Sequence, residues 1–257
     1  MSSLSRIFCV WRRNLDVYLV TWKVNFIPPL LEPMFYLLAF GAGLGGFVKT
    51  VPFRGGEVSY TAYIAPGMVG IAMMFQGFFE CTYGSYIRMF YQKTFDAIIA
   101  TPVSLDEVIT GELLWGATKA FIHAAIMCAV IRAFGYMEFP DLLALPFVAF
   151  VGGLFFAGIA MSYTSIAPSI DSFNYPIFLL ITPMSLFGGT YFPIEGLPGW
   201  ARPIAEFMPL THLTEIARSI AFGYWDRGVW TRLGVFLLLA VGSAWAGVRL
   251  MRRKLIV

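Results

Sequence analysis

Four ionisable side chains, Glu32, Glu80, Glu112 and Lys119, stand inside otherwise apolar stretches of this sequence. A charge placed at the centre of a bilayer costs about 2.5–3.5 kcal/mol on insertion scales, so each must face protein or water or lie near the headgroups. Glu112 and Lys119 are seven residues apart and share a helix face two turns from each other. That is too far for a direct pair, so each is expected to find a partner elsewhere. Glu32, Glu80 and Glu112 fall nearer one edge of their apolar runs than the middle, where a structural role and a transport role both remain open. A proton relay needs several ionisable groups deep in one path, and the sequence displays none.

Other reactive residue types are sparse. His123 is alone in an apolar run, and His212 is the only other histidine, which argues against a histidine-rich metal site. His212 and Glu215 share a helix face, where capping or packing is expected before chemistry. Cys9, Cys81 and Cys128 form no C-x-x-C pair, so neither a disulfide framework nor a zinc site is indicated. No G-x-S-x-G or H-E-x-x-H occurs. The glycines of "GAGLGGF" (Gly41, Gly43, Gly45, Gly46) close an apolar run instead of linking a strand to a helix, which points to helix packing or a helix end. No G-x-x-x-x-G-K-[ST] is present, so no nucleotide, metal or other cofactor is expected on this chain and it is not expected to be an enzyme by itself.

The elements that carry these residues follow from composition. Apolar residues make up 58% of the 257 and charged ones 13%, against about 25% charged in a soluble domain. Apolar runs are predicted to cross a bilayer at about 26–47, 60–86, 105–134, 142–166, 173–192 and 229–248. Each reaches the roughly 20 helical residues that a hydrocarbon core about 30 Å thick demands. The expected fold is therefore all-α and integral to a membrane, a single domain over 1–257 with six transmembrane helices. Residues 2–23 precede them as an amphipathic helix, its stripe made by Leu4, Ile7, Phe8, Trp11, Leu15, Tyr18 and Trp22. Such a helix suits the membrane surface, with a soluble partner as the alternative. The first residues do not have the form of a cleaved signal.

The net charge of +3 gathers at the two ends: Arg6, Arg12, Arg13 and Lys23, then Arg249, Arg252, Arg253 and Lys254. This fits orientation in a membrane better than nucleic-acid binding. An even number of spans puts both basic tails on one side, and the positive-inside rule makes that side cytoplasmic.

Two connections are long. The cytoplasmic one is predicted to form a short helix, Gln92 to Ala100, stopped by Thr101-Pro102. Ser104 then stands three residues before Glu107 in a capping-box pattern. The short helix is either an ordinary linker or an element that docks on a soluble partner through Phe95 and Ile98, with Lys93 and Asp96 as polar contacts. The exterior connection, Pro193 to Gly228, holds a second stripe (Leu210, Leu213, Ile216, Ala217, Ile220) and Trp200, Trp225 and Trp230 placed like interfacial anchors. It is predicted to form short helices that dip back into the outer leaflet.

Three stretches resemble the membrane subunit of ABC-2 type exporters, close to nodulation-factor (NodJ-type) and daunorubicin-resistance permeases. They are "LEPMFYLLAFGAGLG", "TFDAIIATPVSLDEVITGELLWGATKA" and "YFPIEGLPGWARPIAEFMPLTH". The resemblance spans nearly the whole chain. It implies that the helix with Lys93, Phe95, Asp96, Ile98, Thr101 and Pro102 is a coupling helix on a separate ATPase, which would carry the ATP and magnesium. It further implies a homodimer, a bacterial inner membrane, and export of lipo-oligosaccharides, polysaccharides or drugs. The apolar, aromatic faces at Met74, Phe75, Phe78, Phe178, Met184 and Phe187 are expected either to wall the path or simply to pack. Two other classes fit less well: an ion-coupled secondary transporter lacks its deep carboxylates and paired repeats, and a membrane scaffold or enzyme lacks a convergent polar site.

Overall fold

The computed structural model describes residues 2–136 and 143–255. Helix α1, Ser3–Val20, starts where the Ser2 hydroxyl accepts from the Ser5 amide at 3.4 Å. It stops at Thr21, whose hydroxyl donates back to the Val17 carbonyl at 3.0 Å. Helix α2, Trp22–Tyr36, carries Pro28, Pro29 and Pro33 and continues through wide turns, Leu37–Gly43, and one tight turn, Leu44–Gly46. Prolines are tolerated in membrane helices because neighbouring groups can satisfy the freed carbonyls.

The connection that follows departs from the all-α expectation. Strands β1, Thr50–Phe53, and β2, Gly56–Ser59, pair as an antiparallel hairpin. Arg54 and Gly55 form its turn with φ of 49° and 80°, the pair of positive values a twist-matched two-residue turn requires. Helix α3, Tyr60–Phe79, is capped by Ser59 and runs on through two wide turns, Glu80–Gly84 and Ile87–Tyr91. The whole unit Tyr60–Tyr91 is 32 residues long. Helix α4 is Thr94–Ile99, shorter than the predicted Gln92 to Ala100, because Lys93 adopts a left-handed conformation that breaks the chain from α3. The Ser104–Glu107 capping box then opens α5, Leu105–Ala133, as its sequence predicts. Helix α6 is Ala144–Ile166; the predicted start of its span, Leu142, lies outside the described residues.

The stretch 173–192 is not one long helix. Asn174–Pro176 (α7) and Thr182–Phe187 (α8) flank a wide turn, Ile177–Ile181, and Gly188-Gly189 ends the segment with Gly189 at φ 70°. It lies antiparallel to α3. At its start Phe173 packs on Tyr83 and Tyr86, and just past its end the Tyr63 hydroxyl reaches the Gly189 carbonyl at 3.5 Å. Helices α9, Arg202–Phe207, and α10, Pro209–Ala221, follow, and α11, Arg227–Leu255, closes the chain. Among the described residues, five helical units are long and apolar enough to cross a membrane: Trp22–Gly46, Tyr60–Tyr91, Leu105–Ala133, Ala144–Ile166 and Arg227–Leu255. The count of six expected from sequence thus has five long members, since prolines 176 and 183 and the glycine pair keep the remaining segment short and broken.

Helices α3, α5 and α6 form the centre, and they approach closely through small residues. Gly77 faces the Gly153 carbonyl, Gly153 faces Ala120, and Gly116 faces Cys81 and Ala157. Close backbone approach of this kind replaces the hydrophobic drive that helices lack in lipid. Gly158 and Gly247 do the same between α6 and α11. The start of α1, the end of α11 and α4 gather at the start of α5, here the tail end; the hairpin, α9 and α10 occupy the opposite, hairpin end. The Lys254 amine donates to the Ala167 carbonyl at 2.9 Å, satisfying an acceptor at the end of α6.

A Cβ at Gly77 would overlap the Gly153 carbonyl oxygen. Gly77→Ala should therefore lower stability by about 1–3 kcal/mol. Gly234→Ala, with open space around the added carbon, should not; thermal unfolding of both variants in detergent checks the contrast.

Candidate functional site

Three of the four ionisable residues that the sequence singles out, Glu80, Glu112 and Lys119, are brought together on α3 and α5. The two wide turns of α3 carry Glu80 and Arg88. Arg88 Nη2 meets Glu112 Oε2 at 2.5 Å and Glu80 Oε1 at 2.8 Å. Lys119 Nζ meets Glu80 Oε2 at 2.8 Å. Trp115 Nε1 donates to Glu80 at 3.1 Å, and Ser85 Oγ and Asn14 Nδ2 each donate to Glu112 at 2.8 Å. Glu112 is fully buried and Glu80 nearly so. Each carboxylate is thus fully engaged, as burial of a charge requires. Glu112 and Lys119 do find separate partners. Both join one network through Arg88, a residue placed in a loop by the sequence reading.

A cavity of about 390 Å³ opens beside this network, walled by Arg13, Tyr18 and Thr21 from the α1 side and by Arg88, Trp115 and Lys119. A smaller one of about 110 Å³ adjoins it, sharing Tyr18, Asn25 and Lys119 and reaching His123. His123 Nε2 lies 3.1 Å from Glu32 Oε2. Ionisable residues therefore do line up along one side of α5, contrary to their scattered appearance in sequence, but they do so as closed pairs. At the start of α5, Glu107 accepts from Ser3 at 2.7 Å and pairs with Arg6 at 2.8 Å, which docks α1 on the bundle. The face of α1 turned inward holds Val10 and Asn14, while Leu4 and Phe8 of the predicted stripe are exposed.

The short helix α4 is held differently from the expectation. Phe95 is 1% exposed and packs in the core, so it fastens α4 to this chain and is not free to anchor a partner. Ile98 is half-buried against the same core. Lys93, Asp96, Ala97, Ile99, Ala100, Thr101 and Pro102 face outward, with Lys93 Nζ 3.8 Å from Asp96. The Thr101 hydroxyl donates to the Ile98 carbonyl at 2.6 Å and closes the turn.

Of the predicted path residues, Met74, Phe78 and Met184 pack among helices of this chain, whereas Phe178 and Phe187 are exposed. A wall made of all six does not exist here: Met74 and Phe78 face inward because α3 is the central helix, and Met184 of α8 packs into the same core. Phe75 begins a half-buried aromatic column instead, stacking on Phe79, which contacts Tyr83, which meets Phe173.

The hairpin end has its own buried charge. Arg218 on α10 donates through Nε to the Tyr63 carbonyl at 3.0 Å, and through Nη2 to the Gly189 carbonyl and, at 3.1 Å, to that of Thr190. Its guanidinium lies 3.8 Å from the centre of the Tyr63 ring. Burial lowers the Arg218 pKa. The stripe Leu210, Leu213, Ile216, Ala217 and Ile220 lies on one helix, α10, and is buried against the bundle. Arg54 of the hairpin pairs with Asp226 at 2.6 Å, and the Val229 amide together with Arg54 holds that carboxyl below its ordinary value. Glu215 pairs with Arg232 at 2.5 Å while His212 lines an apolar crevice with Phe207 and Phe236, so those two do not act together. Sequence reasoning missed Arg88, Asn14, Trp115 and Arg218; the available signal was an isolated polar residue within an apolar or amphipathic helix.

A bundle with five such helices, buried ion pairs and small-residue contacts defines a multi-pass helical membrane protein. The chain belongs to the ABC-2 type transporter family, whose model matches residues 5–222. It is 37% identical over 248 residues to Nodulation protein J of Rhizobium leguminosarum bv. trifolii, covering 96% of this chain and 93% of that protein. Nodulation protein J of Rhizobium meliloti (strain 1021) is 36% identical over 247 residues, 96% of this chain and 92% of that one. Inner membrane transport permease YadH of Escherichia coli (strain K12) is 17% identical over 232 residues, 90% and 89% of the two chains.

Breaking one side of a buried ion pair leaves an uncompensated charge and costs about 3–5 kcal/mol. Arg88→Met should lose stability on that scale, and adding Glu80→Gln and Glu112→Gln should restore part of it, as read by thermal unfolding in lipid nanodiscs. Arg218→Leu should also destabilise, by about 1–3 kcal/mol for the carbonyls left unpaired, whereas the exposed Arg202→Leu should not.

Proposed function

We propose that this chain is the membrane-spanning subunit of an ATP-binding-cassette exporter. It moves a lipid-linked saccharide or a related amphiphile out of the cytoplasm, driven by a separate ATPase. The observation that carries this reading is α4: a short helix at the tail end, pinned inward by Phe95 and presenting Asp96, Ile99 and Thr101 outward. A surface so fixed transmits a push to α3 and α5 instead of yielding to it.

Six crossings are favoured over five. The broken segment 174–187 starts beside Tyr86 and its following loop meets Tyr63. Those residues are about 34 Å apart along α3 at roughly 1.5 Å per residue, comparable to a hydrocarbon core about 30 Å thick. Six crossings return both basic tails to the side that holds α4, which makes that side cytoplasmic by the positive-inside rule. There α4 meets the ATP pool of a bacterial inner membrane. Helices α9 and α10 then sit at the outer leaflet, with Trp200 and Trp230 exposed as anchors.

A homodimer is supported by exposed apolar side chains. Only 18% of the best apolar window of Trp22–Gly46 is buried, and Tyr175, Phe178 and Leu179 are mostly exposed. Two copies meeting near these surfaces would enclose a path along Phe75, Phe79, Tyr83, Phe178 and Phe187. Aromatic rings suit an amphiphile because they pack on both acyl chains and sugar faces. The ATPase tilts the spans as near-rigid bodies by pushing Lys93 to Val103.

The test uses the permease copurified with its ATPase in lipid. Asp96→Lys with Ile99→Asp should cut permease-dependent ATP hydrolysis about tenfold, a loss of about 1.4 kcal/mol in coupling, with unfolding temperature unchanged. Phe95→Ala should instead lower stability by about 3–5 kcal/mol. Normal copurification and hydrolysis in the double variant would remove α4 as the coupling element.

A further inference from the structure

We propose that the cavity between α1, the wide turns of α3, and α5 binds a phosphate group at the membrane surface. Its polar wall includes Arg13, Asn14, Thr21, Asn25, Gln92 and Lys119. The two carboxylates in and behind that wall, Glu80 and Glu112, are consumed by Arg88, Lys119, Trp115, Ser85 and Asn14. Arg13 is different. Its Nη1 is buried without a hydrogen-bond partner among the described residues. Buried polar atoms are nearly always paired, and an ionised donor has most to lose when it is not. The cations Arg13, Arg88 and Lys119 set against those two carboxylates leave one positive charge in excess. An anion is the ligand that supplies both the missing acceptor and the missing charge. Phosphate fits better than a carboxylate because it offers more acceptor oxygens to a guanidinium.

The position of the cavity adds the second half of the argument. Helix α1 covers it and exposes Leu4, Phe8 and Leu19 on its other side, as a helix embedded at a lipid boundary does. Val17 and Ile87 also form apolar edges of the cavity. Inorganic phosphate and the phosphodiester of an anionic phospholipid share the recognising chemistry. The apolar edges would also meet the glycerol and upper acyl carbons of the lipid. This inference needs only the fold and is independent of what the protein exports.

The full-length chain is loaded in detergent with phosphatidylglycerol or with diacylglycerol of the same chains, and bound lipid is read by native mass spectrometry. Phosphatidylglycerol should be retained and diacylglycerol lost. Arg13→Gln should lower phosphatidylglycerol occupancy about tenfold, the scale of one hydrogen bond to a charged group, while Arg12→Gln, an exposed neighbour, should not. Because Arg13 Nη1 has no hydrogen bond to lose, the unfolding temperature of Arg13→Gln without lipid should not fall below that of the unaltered chain, whereas a merely structural role would lower it. Displacement of the lipid by inorganic phosphate would support the site with the soluble ion as a sufficient ligand; failure of phosphate to displace it would support the lipid as the ligand. Equal phosphatidylglycerol retention by Arg13→Gln, or equal retention of diacylglycerol by the unaltered chain, would overturn the proposal.

Discussion

Arg88 is the point on which the tail end of the molecule depends. Its guanidinium is shared between Glu80 and Glu112, so one cation joins two turns of α3 to α5. Two carboxylates held this close in an apolar bundle would repel and could not both stay ionised. With the guanidinium between them, the attraction in a poorly screened interior becomes directional and strong. The wide turns of α3 serve this arrangement. An inserted residue changes which face the following side chains occupy, and these insertions fall at Glu80–Gly84 and Ile87–Tyr91, where the network is built. Asn14 extends the same cluster to α1 by donating to Glu112. Three helices are thereby registered by one buried constellation.

Arg218 gives α3 a comparable fastening at its other end, made of neutral acceptors. Three carbonyls and the Tyr63 ring surround its guanidinium, joining α10 to α3 and to the loop after α8. The contrast between the two ends matters. A guanidinium held between carboxylates resists separation by Coulomb attraction, whereas carbonyls around a cation can be exchanged for water at lower cost when the loop shifts. The hairpin end is also where the backbone is least regular, with Gly188-Gly189 and short helices in place of long ones. A motion entering at α4 therefore meets a stiff α3–α5 unit first and looser joints last, which suits the rigid-body tilting proposed for transport.

The long apolar runs, the capping box at Ser104 and the buried stripe of α10 were legible in sequence because each is a local, periodic signal. The hairpin was not, since four-residue strands carry too little alternation to stand out beside membrane helices; Arg54-Gly55 was its only marker. The interruption at 174–187 was hidden for the opposite reason. Hydropathy reports apolar content, and Ile177 to Ile181 is fully apolar whether its turns are regular or wide. The charge network was half visible. Glu80, Glu112 and Lys119 announced themselves against an apolar background, but Arg88 lay in a stretch read as a loop, and pairing is a property of three dimensions. The inward position of Phe95 was misjudged because a six-residue helix has too few turns to show which face is wet.

The inward position of Phe95 bears directly on the mechanism. Had Phe95 faced outward, α4 would have held a partner through an apolar plug while resting on its own chain only by its ends. Phe95 instead lies in the same core as Met89, Leu105 and Ile109, so α4 is continuous in packing with both helices that carry the ion network. Displacing α4 without moving α3 and α5 would open a cavity the size of a phenyl ring, at a cost of about 3–5 kcal/mol. Displacing the three together costs far less, because no internal contact is broken. The geometry of one aromatic side chain thus makes concerted movement the cheapest response to force applied at Asp96 and Ile99, and it leaves the compliance to the irregular hairpin end and the sparsely buried α2.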